Sequence, residues 1–266
     1  MYLSHPARWV LRGLCALVLV VLYTPILYVA RLSVNTASNY AWPPTGFTLE
    51  WWEQAFHEPG PREALLHSVQ TGLWATAIAL SLGTLAAFAL SRHRFFGRNG
   101  ISLVIVLPIA LPGVVTGIAL LSGFERLGID LSLFTLVVAH ATFCVVIVYN
   151  NVAARLRRLA PNLEEASADL GADHFQTFRF VTLPLMRSAL VAGGLLAFAL
   201  SFDEIVVTTF TAGAGYKTLP LWFADNFARP NAITTVNVVA TFVVIVSIIP
   251  VWLAQRLTDT TVSVAH

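Results

Sequence analysis

The fold is decided by one polar stretch between long apolar runs: Pro161-Asn162-Leu163-Glu164-Glu165-Ala166-Ser167-Ala168-Asp169-Leu170-Gly171, continuing to Val181-Thr182-Leu183-Pro184. Asn162 is a typical N-cap residue, and Gly171 is suited to end a helix in the left-handed conformation. Asp173 with Gln176 repeats the start signal, and Leu183-Pro184 is expected to close the second helix. The stretch therefore predicts two short, capped helices.

The composition of the chain indicates an integral membrane protein. Its 266 residues are 57% hydrophobic and only 11% charged, and the mean hydropathy is +0.74. Soluble domains carry about 25% charged residues, so this chain has too little polar surface to face water on all sides. The net charge is only +2, with basic residues spread among the loops, which does not indicate a nucleic-acid partner.

Long uncharged runs predict an all-α protein with six transmembrane helices in one domain, residues 1–266. The predicted spans are about 13–31, 67–91, 101–124, 131–153, 188–211 and 232–255, and the polar loop occupies about 154–187. Arg8 and Arg12 precede the first run, as in a signal peptide. That run is long enough to span and no small-residue cleavage site follows closely, so we expect a retained anchor.

The distribution of Lys and Arg predicts the orientation of the spans. Eleven of the sixteen Lys and Arg residues lie in the terminal and alternate loop segments that include residues 154–187. Both termini and the polar loop are therefore expected in the cytoplasm. The first outward loop holds Trp42, Trp51 and Trp52, which predict either a short helix anchored at the bilayer interface or a docking surface for an external partner.

The polar loop carries a recognisable spacing of residues. Glu165-Ala166-Ser167, three further residues, Gly171, nine further residues and Val181-Thr182-Leu183-Pro184 follow one another. This pattern resembles the EAA loop in the membrane subunits of bacterial ABC importers, which reads Glu-Ala-Ala, three residues, Gly, nine residues, then Ile, any residue, Leu-Pro. Ser167 and Val181 depart from it, and both changes are conservative.

The resemblance implies the six-helix type I (MetI-like) permease fold in a bacterial inner membrane. It also implies a second permease subunit, homologous or identical, a cytoplasmic ATPase dimer that binds ATP-Mg, and an extracytoplasmic substrate-binding protein. No cofactor is expected in this chain. Glu164 and Glu165 are expected to stabilise their own helix N-terminus and to meet basic residues of the ATPase. The coupling residues that it implies are Glu164, Glu165, Ala166, Ser167, Asp169, Gly171, Leu183 and Pro184.

Two acids interrupt the fifth predicted span. Asp203 lies 15 residues beyond Ser188, or about 22 Å along a helix, and Glu204 follows it. Acids at such depth face water or a partner. They predict either an acidic patch on the path of a cationic substrate, or a structural salt bridge or helix cap. The sequence Ser201-Phe202-Asp203-Glu204, with Thr218-Leu219-Pro220 after it, is similar to permeases of the spermidine/putrescine type. Ferric iron, phosphonate and thiamine are the alternative substrates.

Two other spans contain residues that a plain lipid-facing helix does not need. Pro108 and Pro112 with Gly113 and Gly117 predict a third span that is tightly packed, bent along a translocation path, or both. His140 is the one histidine in the fourth span, which holds no Asp, Glu, Lys or Arg. We expect it to bond to a backbone group or hydroxyl, because a proton relay needs a chain of acids and histidines.

Other classes of function find little support in the sequence. The segment 213–218 lacks the glycine that a phosphate-binding loop places before its lysine, so no nucleotide site is predicted. Cys15 and Cys144 lie in separate apolar runs, and no catalytic or metal-binding cluster is present. An ion-coupled secondary transporter would carry charged or broken helices in both halves, but acids interrupt only the fifth predicted span. An intramembrane enzyme would need a nucleophile paired with a base, and the sequence shows no such pairing.

Overall fold

The computed structural model of the chain describes residues 5–37, 43–93, 95–160 and 162–262, and Trp42 lies outside them. Over these residues the chain is helical, and one isolated bridge joins Asn35 and Phe47. The α-helices are α1 His5–Leu32, α2 Glu50–His57, α3 Pro59–Arg92, α4 Arg98–Ala110, α5 Gly113–Arg126, α6 Leu133–Leu156, α7 Asn162–Asp169, α8 His174–Thr177, α9 Leu183–Asp203, α10 Val206–Thr211, α11 Leu219–Asn226 and α12 Ile233–Val262.

Five helical segments of the described chain are long and apolar enough to cross a membrane. They are α1, α3, α6, the continuous segment His174–Asp203, and Pro230–Ile249, which includes the first part of α12. The pair α4 and α5 makes a sixth candidate if it is counted as one span. The all-α expectation is confirmed.

The third candidate span is bent far more sharply than a kinked helix. The axes of α4 and α5 differ by 109°, and Leu111 between them is extended, with ψ 143°. Pro112 explains this geometry, because its ring disfavours the helical conformation at the preceding residue. Pro108, in contrast, lies inside α4 without ending it.

The polar loop runs into the next span without a stop. α8 continues through a π-helical turn, Phe178–Thr182, directly into α9, so the expectation that Leu183-Pro184 closes the second helix is wrong. In the π turn the amide of Leu183 donates to the carbonyl of Phe178, five residues earlier. This wider turn admits Pro184, which has no N–H for the helical ladder.

The run predicted as a single fifth span, 188–211, is divided in two. α9 ends at Asp203, Glu204 is extended with ψ 119°, and α10 starts at Val206. The break lies at the two acids, where the side chain of Glu204 accepts one hydrogen bond, from the amide of Val207, that a backbone carbonyl would accept in a continuous helix.

The chain divides into two compact units. The larger one, residues 63–222 and 251–266, is built around α6, which packs most extensively against α9. Close helix contacts depend on glycines: a Cβ at Gly83 of α3 would lie 2.9 Å from the carbonyl oxygen of Val145. α6 is therefore the central helix of this unit.

The smaller unit comprises residues 1–62 and 223–250. The indole of Trp51 in α2 donates a 2.8 Å hydrogen bond to the carbonyl of Asn35. The ring of Phe56 packs edge-on against Phe242, with centroids 5.2 Å apart. No side chain in the most apolar window of α1 is buried, so α1 needs lipid or another chain to cover it.

Candidate functional site

The first helix of the polar loop ends in a complete C-terminal cap. Gly171 has φ +84°, the left-handed conformation that its sequence position predicts. Its amide donates to the carbonyl of Ala168 at 2.8 Å, and the amide of Ala172 donates to Ser167 at 3.1 Å. These are the two bonds of a Schellman motif. α7 begins at Asn162 itself, one position earlier than an N-cap assignment requires.

The second helix begins with the reciprocal cap that the sequence predicts. The amide of Gln176 donates to the Asp173 carboxylate at 2.8 Å, and the Gln176 side chain accepts from the amide of Asp173 at 2.9 Å. The hydroxyls of Ser167 and Thr177 are 3.0 Å apart, which ties α7 to α8. The two helices are consequently fixed relative to each other by side chains as well as by their turn.

Glu164 is bonded within the chain, a contact that sequence reasoning missed. Its Oε1 accepts from Nη2 of Arg92 at 2.6 Å and from the hydroxyl of Thr182 at 3.1 Å. The carboxylate thus joins α7 to the end of α3 and to the π turn. Glu164 and Arg92 are 72 positions apart, and no local pattern links residues at that separation.

The remaining loop residues named from the sequence lie mostly on the surface. Ser167 is half-buried, and the exposed ones are Glu165, Ala166, Asp169, Gly171, Leu183 and Pro184. Three large apolar side chains are exposed beside them: Leu170 at 90%, Phe175 at 68% and Phe180 at 70%. Apolar side chains that stay exposed on a polar loop are typical of a protein interaction surface.

The loop is fastened to the membrane helices at a second point. Nε of Arg155, near the end of α6, donates to the carbonyl of Leu185 at 3.0 Å. Together with the fusion of α8 to α9, this bond holds the loop to α6 and α9.

The two acids of the fifth span differ in their surroundings. Oε1 of Glu204 accepts from the amide of Val207 at 2.9 Å, and its carbonyl accepts from the hydroxyl of Thr208 at 2.7 Å. Glu204 therefore caps α10. Asp203 is exposed, and within the described ranges neither acid forms a salt bridge. Both line a groove of about 420 Å³ between α6 and α9.

His140 is completely buried and bonded to two hydroxyls. Nδ1 lies 2.7 Å from the hydroxyl of Ser201, and Nε2 lies 3.0 Å from that of Thr208. The Thr208 hydroxyl donates to the carbonyl of Glu204, so Nε2 of His140 is the donor to that hydroxyl. The imidazole joins α6 to both sides of the helix break, and the expectation of a hydroxyl partner is confirmed.

The sequence is similar to known proteins along most of its length. The family described as binding-protein-dependent transport system inner membrane component matches residues 79–263. A relative, the spermidine/putrescine transport system permease protein PotC of Haemophilus influenzae, is 34% identical over 237 residues, covering 89% of this chain and 91% of that protein. The putrescine transport system permease protein PotI of Escherichia coli K12 is 34% identical over 230 residues, covering 84% and 81%.

The fold is similar to that of a solved transporter. A chain in the crystal structure of a bacterial ABC transporter involved in the import of the acidic polysaccharide alginate superposes with a TM-score of 0.72. The match covers 98% of this chain and 99% of the other at 18% identity. At that identity the likeness concerns the fold alone.

Proposed function

The chain belongs to the family of binding-protein-dependent transport system inner membrane components and is a multi-pass permease subunit of an ABC importer; from this premise we propose that it imports polyamines. Two of its relatives are named for transport of spermidine and putrescine or of putrescine. Asp203 and Glu204 in the groove between α6 and α9 offer carboxylates to a cationic substrate.

We propose that α7, α8 and the π turn couple the motion of a separate ATPase dimer, which binds ATP-Mg, to the membrane helices. The observation that carries this proposal is the direct continuation of α8 into α9. A rigid helical connection transmits displacement without the loss that a flexible linker would introduce. The exposed side chains of Glu165, Leu170 and Phe175 are the surface that we assign to ATPase docking.

The proposed assembly contains two permease subunits, this chain with an identical or homologous one, together with the ATPase dimer and an extracytoplasmic binding protein. It lies in the bacterial inner membrane with both termini of this chain and residues 154–187 in the cytoplasm. The excess of Lys and Arg in these segments supports that orientation. The apolar surface of α1 supports contact with lipid or a neighbouring subunit.

The test reconstitutes this chain in vesicles with the permease, ATPase and binding protein encoded beside it, and measures ATP-dependent uptake of labelled spermidine and putrescine. We expect Glu165→Ala to abolish uptake, and Asp203→Asn to lower uptake of the amines at least about tenfold, because a cation loses its counter-charge in the groove. Glu125→Ala, which removes an exposed carboxylate at the end of α5, outside the polar loop and absent from the groove wall, is the matched control.

The outcomes separate the parts of the proposal. ATPase activity that a loaded binding protein stimulates, without uptake of either amine, would keep the importer and reject polyamines. Uptake that survives Glu165→Ala would reject the assigned docking surface. Uptake without any ATPase present would reject the coupling mechanism and favour an ion-coupled transporter.

A further inference from the structure

A polar cavity outside the coupling surface lies at one end of three membrane helices. Its volume is about 360 Å³, and its wall includes residues from the end of α3, the start of α4 and the end of α6. Arg92 is the last residue of α3, and Leu156 is the last of α6. Because these helices are candidate spans, the cavity is at the boundary between the bilayer interior and its polar surface.

The cavity carries an excess of positive charge. Arg92, Arg98 and Arg157 line it, and no carboxylate belongs to its wall. Glu164 bonds Arg92 from beside the cavity. Among the residues that the structure describes, no carboxylate pairs with Arg98 or Arg157.

The polar groups of the cavity wall include several hydrogen-bond donors. Nε of Arg92 is buried and has no partner in the described part of the chain, a state that costs free energy until an acceptor arrives. The first turn of α4 has no side-chain cap, and its amides add partial positive charge. Ser102 and Tyr149, whose hydroxyls are 3.2 Å apart, complete the polar wall. Such a set of donors suits the oxygens of a phosphodiester.

We propose that this cavity binds the phosphate-bearing headgroup of an anionic membrane phospholipid. The neighbouring surface decides between a lipid and a free phosphate. Large apolar side chains stay exposed beside the cavity, namely Phe96 between α3 and α4, and Leu103 and Val104, at 68% and 66%, on α4. Acyl chains can cover these side chains while the headgroup occupies the basic cavity, whereas inorganic phosphate would leave them exposed.

The test uses the full-length chain purified in micelles that contain equal amounts of phosphatidylcholine and phosphatidylglycerol, with native mass spectrometry to count retained lipids. We expect wild type to retain phosphatidylglycerol preferentially. The double variant Arg98→Gln with Arg157→Gln should lower that preference about tenfold, because each basic residue near the headgroup adds to the attraction. The single variant Arg157→Gln should lower it by about half as much on a logarithmic scale.

Arg158→Gln is the matched control, because Arg158 is exposed, adjacent in sequence and absent from the cavity wall. Equal losses in Arg157→Gln and Arg158→Gln would overturn the proposal, since general surface charge would then explain retention. Arg157→Lys keeps the charge and should keep most of the preference, which guards against a folding defect.

Displacement of phosphatidylglycerol by millimolar inorganic phosphate would show a small-anion site instead. Loss of ATPase co-purification in Arg157→Gln with unchanged lipid retention would assign the cavity to protein docking, which also overturns it.

Discussion

Two adjacent glutamates on α7, Glu164 and Glu165, have different surroundings although the sequence predicts the same roles for both. Glu164 is bonded to Arg92 and Thr182, whereas Glu165 is exposed. The side chain of Glu164 is 32% exposed and that of Arg92 is 27% exposed, so solvent screens the ion pair only partly. Glu164 therefore contributes to holding α7 against the helices, and Glu165 is the carboxylate that stays accessible to a partner.

This difference predicts unequal effects of one substitution at the two sites. Glu164→Ala should lower the free energy of unfolding by about 1–2 kcal/mol, because a half-buried guanidinium and a hydroxyl lose their acceptor. Glu165→Ala should change it by less than about 0.5 kcal/mol. Thermal unfolding of the purified chain in detergent measures both, and helix propensity cancels because both changes are Glu to Ala on the same helix. Equal shifts in the two variants would contradict the assigned roles.

At the scale of elements, the breaks in the membrane helices are held by contacts between them. α5 and α10, which follow the breaks at Pro112 and Glu204, pack against each other. The contact depends on Gly117, where a Cβ would lie 2.6 Å from Cδ2 of Phe210. The segments that follow the two helix breaks are therefore joined by close packing of α5, at Gly117, against the ring of Phe210 in α10.

A pair of glycines on α5 tests this packing. Gly117→Ala should destabilise the chain by about 1–3 kcal/mol, because the new methyl group displaces the ring of Phe210. Gly123→Ala meets no atom within 4 Å and should be neutral or stabilise by up to about 1 kcal/mol, since alanine favours the helix. Thermal unfolding in detergent gives both values. If Gly117→Ala lowers the stability no more than Gly123→Ala does, the contact between Gly117 and Phe210 is not tightly packed.

For the whole molecule, the proposed orientation in the bilayer rests on the distribution of charge. The excess of basic residues in 154–187 and in the terminal segments predicts that these parts face the cytoplasm. Two exposed leucines in the larger unit are suitable reporters: Leu170 at 90% exposure on the polar loop, and Leu127 at 74% after α5. The predicted topology places them on opposite sides of the membrane.

Labelling with a membrane-impermeant maleimide checks this prediction. In a background of Cys15→Ser and Cys144→Ala, Leu127→Cys should react in spheroplasts and Leu170→Cys only in inverted vesicles. Both variants expose a single thiol on an already exposed position, so their folding should match that of the cysteine-free parent. Reaction of Leu170→Cys in intact spheroplasts would reverse the proposed orientation.

The sequence by itself determined the class of this protein and the local structure of its loop. Uncharged apolar runs of about 20 residues are long enough to cross a bilayer as helices, and a helix satisfies every backbone polar group internally, as lipid requires. The caps at Gly171 and at Asp173 with Gln176 are formed by neighbours in sequence, so local chemistry predicts them. The spacing from Glu165 to Pro184 likewise indicated the family.

Only the tertiary structure decided how these parts are joined. Three contacts join residues that are distant along the chain. Arg92 pairs with Glu164, His140 bonds to the hydroxyls of Ser201 and Thr208, and Gly117 lies close to Phe210. The continuation of α8 into α9 was not predicted, because a proline such as Pro184 normally ends a helix. The π turn before it makes the continuation possible. Local preferences fix caps and spans, whereas the packing of helices against one another selects contacts that no short pattern encodes.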